Sequence, residues 1–271
     1  MRIHKKLASA LLLLCTVCLS TPALAGRSCD AKKMTAQIME RGLALAEKTL
    51  HSLNASGHKV VFLARAGQDL SKYGVRYSHL GFAYQVDDGE GGLTWRVLHK
   101  LNECGTNLSA VYRQGLGEFF LDDLWKYEAV WIAPSPQVQE NVLQLLLDRT
   151  RTLSMHHKPY SIVSYYRGLK YQQSNQWAIE TLAAAMEPDA TSREKAQEWL
   201  NIKGYQPTTL ALGMFTRLGA RVSEANVAFD DHPNEKRFTD RIETVTVDSV
   251  FSWLQGSKLV SPGTRPTLVR F

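Results

Sequence analysis

Two histidines are the first residues whose type and spacing suggest chemistry. His79 opens the run Tyr77-Ser78-His79-Leu80-Gly81-Phe82, and His99 closes Trp95-Arg96-Val97-Leu98-His99. A neutral imidazole takes up a proton near physiological pH, and a second ring can fix its tautomer. Such a pair suits general-base or nucleophilic catalysis. The same types also serve as partly buried histidines bonded to backbone.

Two side chains, Ser174 and Cys104, can supply what a base would activate. Ser174 and Asn175 stand in Gln173-Ser174-Asn175-Gln176-Trp177, directly before an apolar run. Ser174 is either a nucleophile with His79 as base or, like Asn175, a helix N-cap, the position both types favour. Cys104 follows His99 by five residues. It is either a thiol nucleophile or, in an exported chain with one other mature cysteine, half of a Cys29–Cys104 disulfide. Arg65, Gln68 and Asp69 follow a short apolar run and can reach the same cleft, as ligands for a polar substrate or as a salt-bridged loop. No HExxH or Cys-x-x-Cys spacing supports a zinc site on the two histidines, so neither metal nor cofactor is implied. Asp87-Asp88-Gly89-Glu90 lacks the alternating ligands of a calcium loop and reads as a solvated turn.

The elements that must position these residues follow from periodicity. Helical spacing of apolar residues covers 31–53, and Val60 to Ala64 reads as a buried strand. His79 to Val86 and Thr94 to Leu101 read as strands joined by the turn Asp87-Asp88-Gly89-Glu90-Gly91-Gly92, so they form a hairpin. First and last residues of such a pair face each other, which brings His79 and His99 together. Glu118 to Leu121 and Ala129 to Ala133 are further strand candidates. Val138 to Leu153 reads as one amphipathic helix. Asn175 to Met186 is an apolar helix, and Thr191-x-x-Glu194 a capping box opening another. Leu210 to Leu218 and Ser249 to Leu254 suggest small helices, with Glu243 to Val247 a late strand. Helices around hairpin-connected strands argue α+β rather than alternating βαβ.

The chain has 271 residues, 44% of them hydrophobic, which excludes a disordered or fibrous protein. A basic start (Arg2, Lys5, Lys6), an apolar run from Leu7 to Leu19 and Ala23-Leu24-Ala25 form a secretory signal cut after Ala25. That apolar run is too short to span a hydrocarbon core. Setting aside the three basic residues of the leader lowers the net charge from +6 to +3. The remaining chain has no basic cluster for nucleic acid. The expected organisation is a signal peptide at 1–25, an α+β core at 26–190 and a helical extension at 191–271 packed on it. The expected location is the periplasm or the exterior.

The order of a strand, then Ser78-His79-Leu80-Gly81-Phe82, a turn and Val97-Leu98-His99 resembles the circularly permuted papain-like amidases and acyltransferases. These are relatives of cell-wall amidases and of the lecithin retinol acyltransferase group. The resemblance implies a papain-like antiparallel sheet, His79 as base, His99 as its partner, and a cysteine at the start of the next helix. Asn175 stands in that cysteine's place, with Ser174 before it.

The mature chain is more closely similar to a family of exported bacterial proteins known as domain of unknown function 2145. Ala64 to Leu70, Arg76 to His79, Leu101 to Gly105 and Ser174 to Trp177 carry that resemblance. The expectation is an exported, envelope-associated protein, either hydrolase-like without the usual cysteine or an inactive relative binding an envelope ligand or protein partner. His79, His99, Ser174 and Asn175 form its chemical site, and Arg65, Gln68, Asp69, Tyr77, Gln176 and Trp177 its substrate contacts.

Overall fold

The computed structural model describes residues 34–122 and 124–271. The expected signal peptide and Cys29 lie outside these residues, so neither the leader nor the Cys29–Cys104 pairing is described. The first helix, α1 (Ala36–Ser56), starts at Thr35, whose hydroxyl accepts from the Ile38 amide, and ends at Gly57 in the left-handed region. Strand β1 (Val60–Arg65) follows, then a single 3-10 turn (Ser71–Tyr73). The hairpin is β2 (His79–Asp87) and β3 (Leu93–Asn102), and β4 (Ser109–Gly115) continues the meander. Short α2 (Leu116–Phe120) precedes β5 (Glu128–Ile132), α3 (Pro136–Leu147) and α4 (Arg149–Ser154). Then come α5 (Ser174–Met186), α6 (Arg193–Ile202), β6 (Thr208–Ala211) and α7 (Met214–Ser223). The chain closes with α8 (Asn234–Arg237), β7 (Arg241–Thr244), α9 (Val247–Gly256) and β8 (Thr267–Arg270).

The architecture is α+β. Six antiparallel strands lie in the order β4-β3-β2-β1-β5-β8, and β6 pairs with β7 in a small second sheet. Every residue of β1 is buried, because both faces of the main sheet are covered. Phe62, Leu80, Phe82 and Leu98 face α3 and α5 with Trp177, Ile179 and Leu182. Val61, Leu63, Ala83, Val97 and Trp131 face α1 and α2 with Leu45, Leu53, Phe119 and Phe120. Strand alternation with period two therefore assigns each residue to one of two separate apolar layers. The last residues contribute more than a helical extension: β8 is an edge strand of the main sheet, and Val250, Phe251 and Leu254 of α9 enter the larger core.

Several elements differ from their sequence reading for local reasons. Residues 116–120 form a helix rather than a strand because Glu118 closes a capping box onto the Gly115 amide. The expected helix 138–153 is two helices, since the Asp148 carboxylate accepts from the Thr150 and Arg151 amides and starts a new one. The cap of α6 is Ser192 rather than Thr191, and that of α5 is Gln173, so Ser174 and Asn175 sit within the first turn. Leu210 lies in β6, and the expected helix begins only after Gly213. The late strand ends at Thr244, where Thr246 caps α9.

Candidate functional site

The histidines meet through the hairpin, though not face to face. The β2–β3 register pairs Phe82 with Leu98, which sets Gly81 across from His99. A Cβ at Gly81 would lie 2.9 Å from the His99 Cβ, so the side-chain-free position leaves room for the His99 ring. His79, two residues back along β2, reaches it diagonally, with Nε2 2.8 Å from His99 Nδ1. The next strand repeats the step. Tyr112 pairs with His99, and Gln114, two residues on, places Oε1 2.7 Å from His99 Nε2. Diagonal neighbours on one sheet face are within reach of long side chains.

This chain of contacts fixes tautomers. Gln114 Oε1 accepts, so His99 bears its proton on Nε2; its Nδ1 then accepts from His79 Nε2–H. His79 is left with a lone pair on Nδ1. Burial holds both rings neutral: His79 lies well below the ordinary histidine pKa through desolvation, then the Arg65 charge, then His99. His99 is pushed down to about 3, first by burial and next by Arg65, against the opposing Gln114 hydrogen bond. Phe119 covers the pair, its ring centroid 5.9 Å from that of His79 and 5.2 Å from that of His99. Arg65, opposite His79 on β1, lies over the same Phe119 ring and is held by the Phe119 carbonyl and Asp122.

The second arm is the start of α5. Gln173 Oε1 accepts from the Asn175 amide at 3.0 Å, Asn175 Nδ2 donates to the Val245 carbonyl, and Ser174 Oγ lies 3.3 Å from Tyr160 Oη. Asn175 Oδ1 is buried with no hydrogen-bond partner. Both arms line one cavity of about 840 Å³, within the range typical of small-molecule sites.

The structure brings Arg65, Gln68, Tyr77, His79, Ser174, Asn175 and Cys104 to that cavity, with His99 fully buried behind His79. Three expected contacts lie elsewhere. Asp69 is exposed and caps Ser71. Gln176 is buried, bonded to Ser164 and to the Tyr165 and Tyr166 carbonyls. Trp177 packs edge-on against Phe82 in the core. A helix residue's direction depends on what covers each face: Trp177 faces the sheet, and Gln176 faces the 164–168 segment.

The expected meeting of the α5 start with the histidines is also revised. The histidines belong to the face under α1 and α2, whereas α5 covers the other. The two arms share the cavity, but the Ser174 hydroxyl bonds Tyr160 rather than a histidine. Gln114 and Phe119 were missed because β4 was not recognised and α2 was read as a strand. The β-branched and aromatic pair Val111-Tyr112, after the turn at Gly105, is the local signal for β4.

Among the described residues no group of three His, Cys, Asp or Glu side chains is placed to hold a metal ion. No helix there is long and apolar enough to cross a membrane.

A six-stranded antiparallel sheet with helices on both faces and a histidine-lined cavity defines the class: an α+β protein with a buried imidazole pair. Residues 52–254 match the family described as an uncharacterized protein conserved in bacteria (DUF2145), and the chain belongs to that family. No curated protein and no solved structure matches the chain. The resemblance to papain-like amidases therefore gains no support from known proteins.

Proposed function

We propose that this is an exported, cell-envelope protein with hydrolase-like chemistry at a carbonyl, carried by His79 as base without a cysteine nucleophile. The observation that carries the reading is the chain His79–His99–Gln114 at 2.8 and 2.7 Å, ending in a neutral imidazole on a cavity wall. In this reading His79 Nδ1 takes a proton from water as the water oxygen attacks the carbonyl carbon. The imidazolium then returns the proton to the leaving nitrogen or oxygen as its bond to carbon breaks. His99 acts as a positioning residue, its Nδ1 accepting from His79 Nε2–H and so holding the His79 tautomer. The N-terminal end of α5, a thirteen-residue helix, offers a positive dipole end for the oxyanion. Export rests on the leader-like first twenty-five residues. The papain-like arrangement belongs to the same proposal and draws on a strand-borne histidine pair sharing a cavity with a helix start.

One observation favours a second reading, an inactive relative that binds an envelope ligand or protein partner in the same cavity. The Ser174 hydroxyl is turned to Tyr160. Incubating the mature protein with cell-wall fragments decides between them. Hydrolase-like chemistry predicts release of new amines or carboxyls, lost by at least a hundredfold in His79→Ala and reduced less in Ser174→Ala. Turnover that survives His79→Ala rejects the base assignment. Fragment binding without turnover in any form establishes the second reading.

A further inference from the structure

The cavity has a chemically mixed lining. His79, Ser78, Gln68 and Ser174 supply polar groups to it. Leu70, Val75, Leu210, Leu212, Val227 and Phe229 supply an apolar wall. These six belong to a small apolar cluster, built around fully buried Ile242, that is distinct from the two layers packed on the main sheet. The cluster comes from the 3-10 region, from β6 and β7, and from the segment between α7 and α8.

Helix α7 joins this wall to the outside. Thr216, Arg217 and Ala220 face the cavity, while Met214, Phe215 and Leu218 of the same helix are 62%, 82% and 60% exposed. Arg217 is anchored to the Leu212 carbonyl and to Asp240, which ties the helix to the wall. Residues 214–223 include two arginines and no acidic side chain. Exposed large apolar groups beside basic ones are what a helix presents to an amphiphile or a lipid surface. A ligand polar throughout would leave the apolar wall without a partner, and a ligand apolar throughout would strand the polar groups.

We propose that the occupant is an amphiphile, with a single acyl or alkyl chain along the apolar wall and its carbonyl-bearing head beside His79. This names the substrate class for the site proposed above and rests on that reading only for which end reacts. The tail assignment is independent of any turnover.

Titration calorimetry of the full mature chain with N-acylglycines, each below its micelle concentration, tests it. Burial of each methylene predicts about a fourfold gain in affinity. Dodecanoylglycine should therefore bind at least a hundredfold more tightly than octanoylglycine, and acetylglycine only weakly. Leu212→Asp should weaken dodecanoylglycine at least tenfold, and Phe215→Ser, on the outer face of α7, should leave it unchanged. His79→Ala should retain the chain-length dependence while losing any hydrolysis, which separates failure of the base assignment from failure of the tail assignment. Affinity independent of chain length overturns the proposal, and needs no variant to fold. Loss in Phe215→Ser but not in Leu212→Asp also overturns it, by moving the site to the outer surface.

Discussion

His79 and His99 are hydrogen-bonded at 2.8 Å although neither is the other's partner in the strand register; the residue facing His99 is Gly81. The pair exists because one position between two strands has no side chain. Its neutrality follows from its depth, under Phe119 and beside the Arg65 guanidinium, where a second positive charge is costly.

Filling the Gly81 position should separate the rings. A Cβ there would meet the His99 Cβ, the Leu98 carbonyl oxygen and a Val97 methyl, all at or below 3.1 Å. Gly81→Val is expected to cost about 1–3 kcal/mol in denaturant unfolding through overpacking. It should also change the imidazole nitrogen shifts of His79 in NMR. Unaltered shifts in a folded Gly81→Val protein would show that the glycine does not govern the contact.

Acid should destabilise the fold through these rings. In the unfolded chain each histidine binds its proton near 6.5, whereas folded His99 does so only near 3. Between those values the unfolded state holds more protons, so stability rises with pH by up to about 1.4 kcal/mol per unit for each such group. The contribution is complete above 6.5 and is lost as pH falls towards 3. Melting temperatures measured from pH 7 to pH 4 should drop steeply, and less steeply in His99→Gln. An identical slope in that variant refutes the assignment.

Lys100 should dominate the alkaline side. It is fully buried on the opposite sheet face, with Nζ donating to the His157 carbonyl at 2.6 Å and to Gln172 Oε1 at 2.7 Å. Burial, then the Arg193 charge, lowers its pKa from 10.5 to about 6. Between about 6 and 10.5 the unfolded chain carries the extra proton, so stability should increase with pH across that window. Lys100→Met should flatten the dependence between pH 7 and 10. A slope unchanged by Lys100→Met would mean that the amine stays charged in the fold.

Glu128 should also lose its contribution on acidification, but in a lower pH window than the buried bases. Burial raises its pKa, but hydrogen bonds from Arg76, Tyr77 and Arg270 outweigh it and bring the value down to about 2. The carboxylate links the Arg76–Tyr77 segment to β8, with Arg76 donating at 2.7 and 2.8 Å and Arg270 at 2.9 Å. Its contribution is present above the unfolded value of 4.5 and lost as pH falls towards 2. Glu128→Gln should cost about 2 kcal/mol at pH 7, in line with hydrogen bonds to a charged group, and much less at pH 3. Equal losses at both pH values would sink this.

Much of the scaffold could be read from local pattern. Alternation and a glycine-rich turn marked the β2–β3 hairpin, and helical spacing marked α1, α5 and α9 to within a few residues. Those signals are local, because a strand's two faces and a helix's apolar stripe repeat along the chain itself. The short elements were harder. At 116–120 and at 148 one carboxylate bonding to nearby amides outweighed a weak periodic signal.

The sequence by itself determined that two histidines would be close, that a helix would begin near Ser174, and that the chain would form an α+β domain. Only the tertiary structure decided which layer each residue joined. Packing α5 on one face and α1 with α2 on the other left Trp177 in the core, put the imidazoles under Phe119, and parted them from Ser174. It also brought Gln114, from the third strand of the meander, onto His99. Strand period two assigns a residue to a face, but long-range apolar burial chooses the helix that covers that face, and with it the environment that sets each histidine's charge.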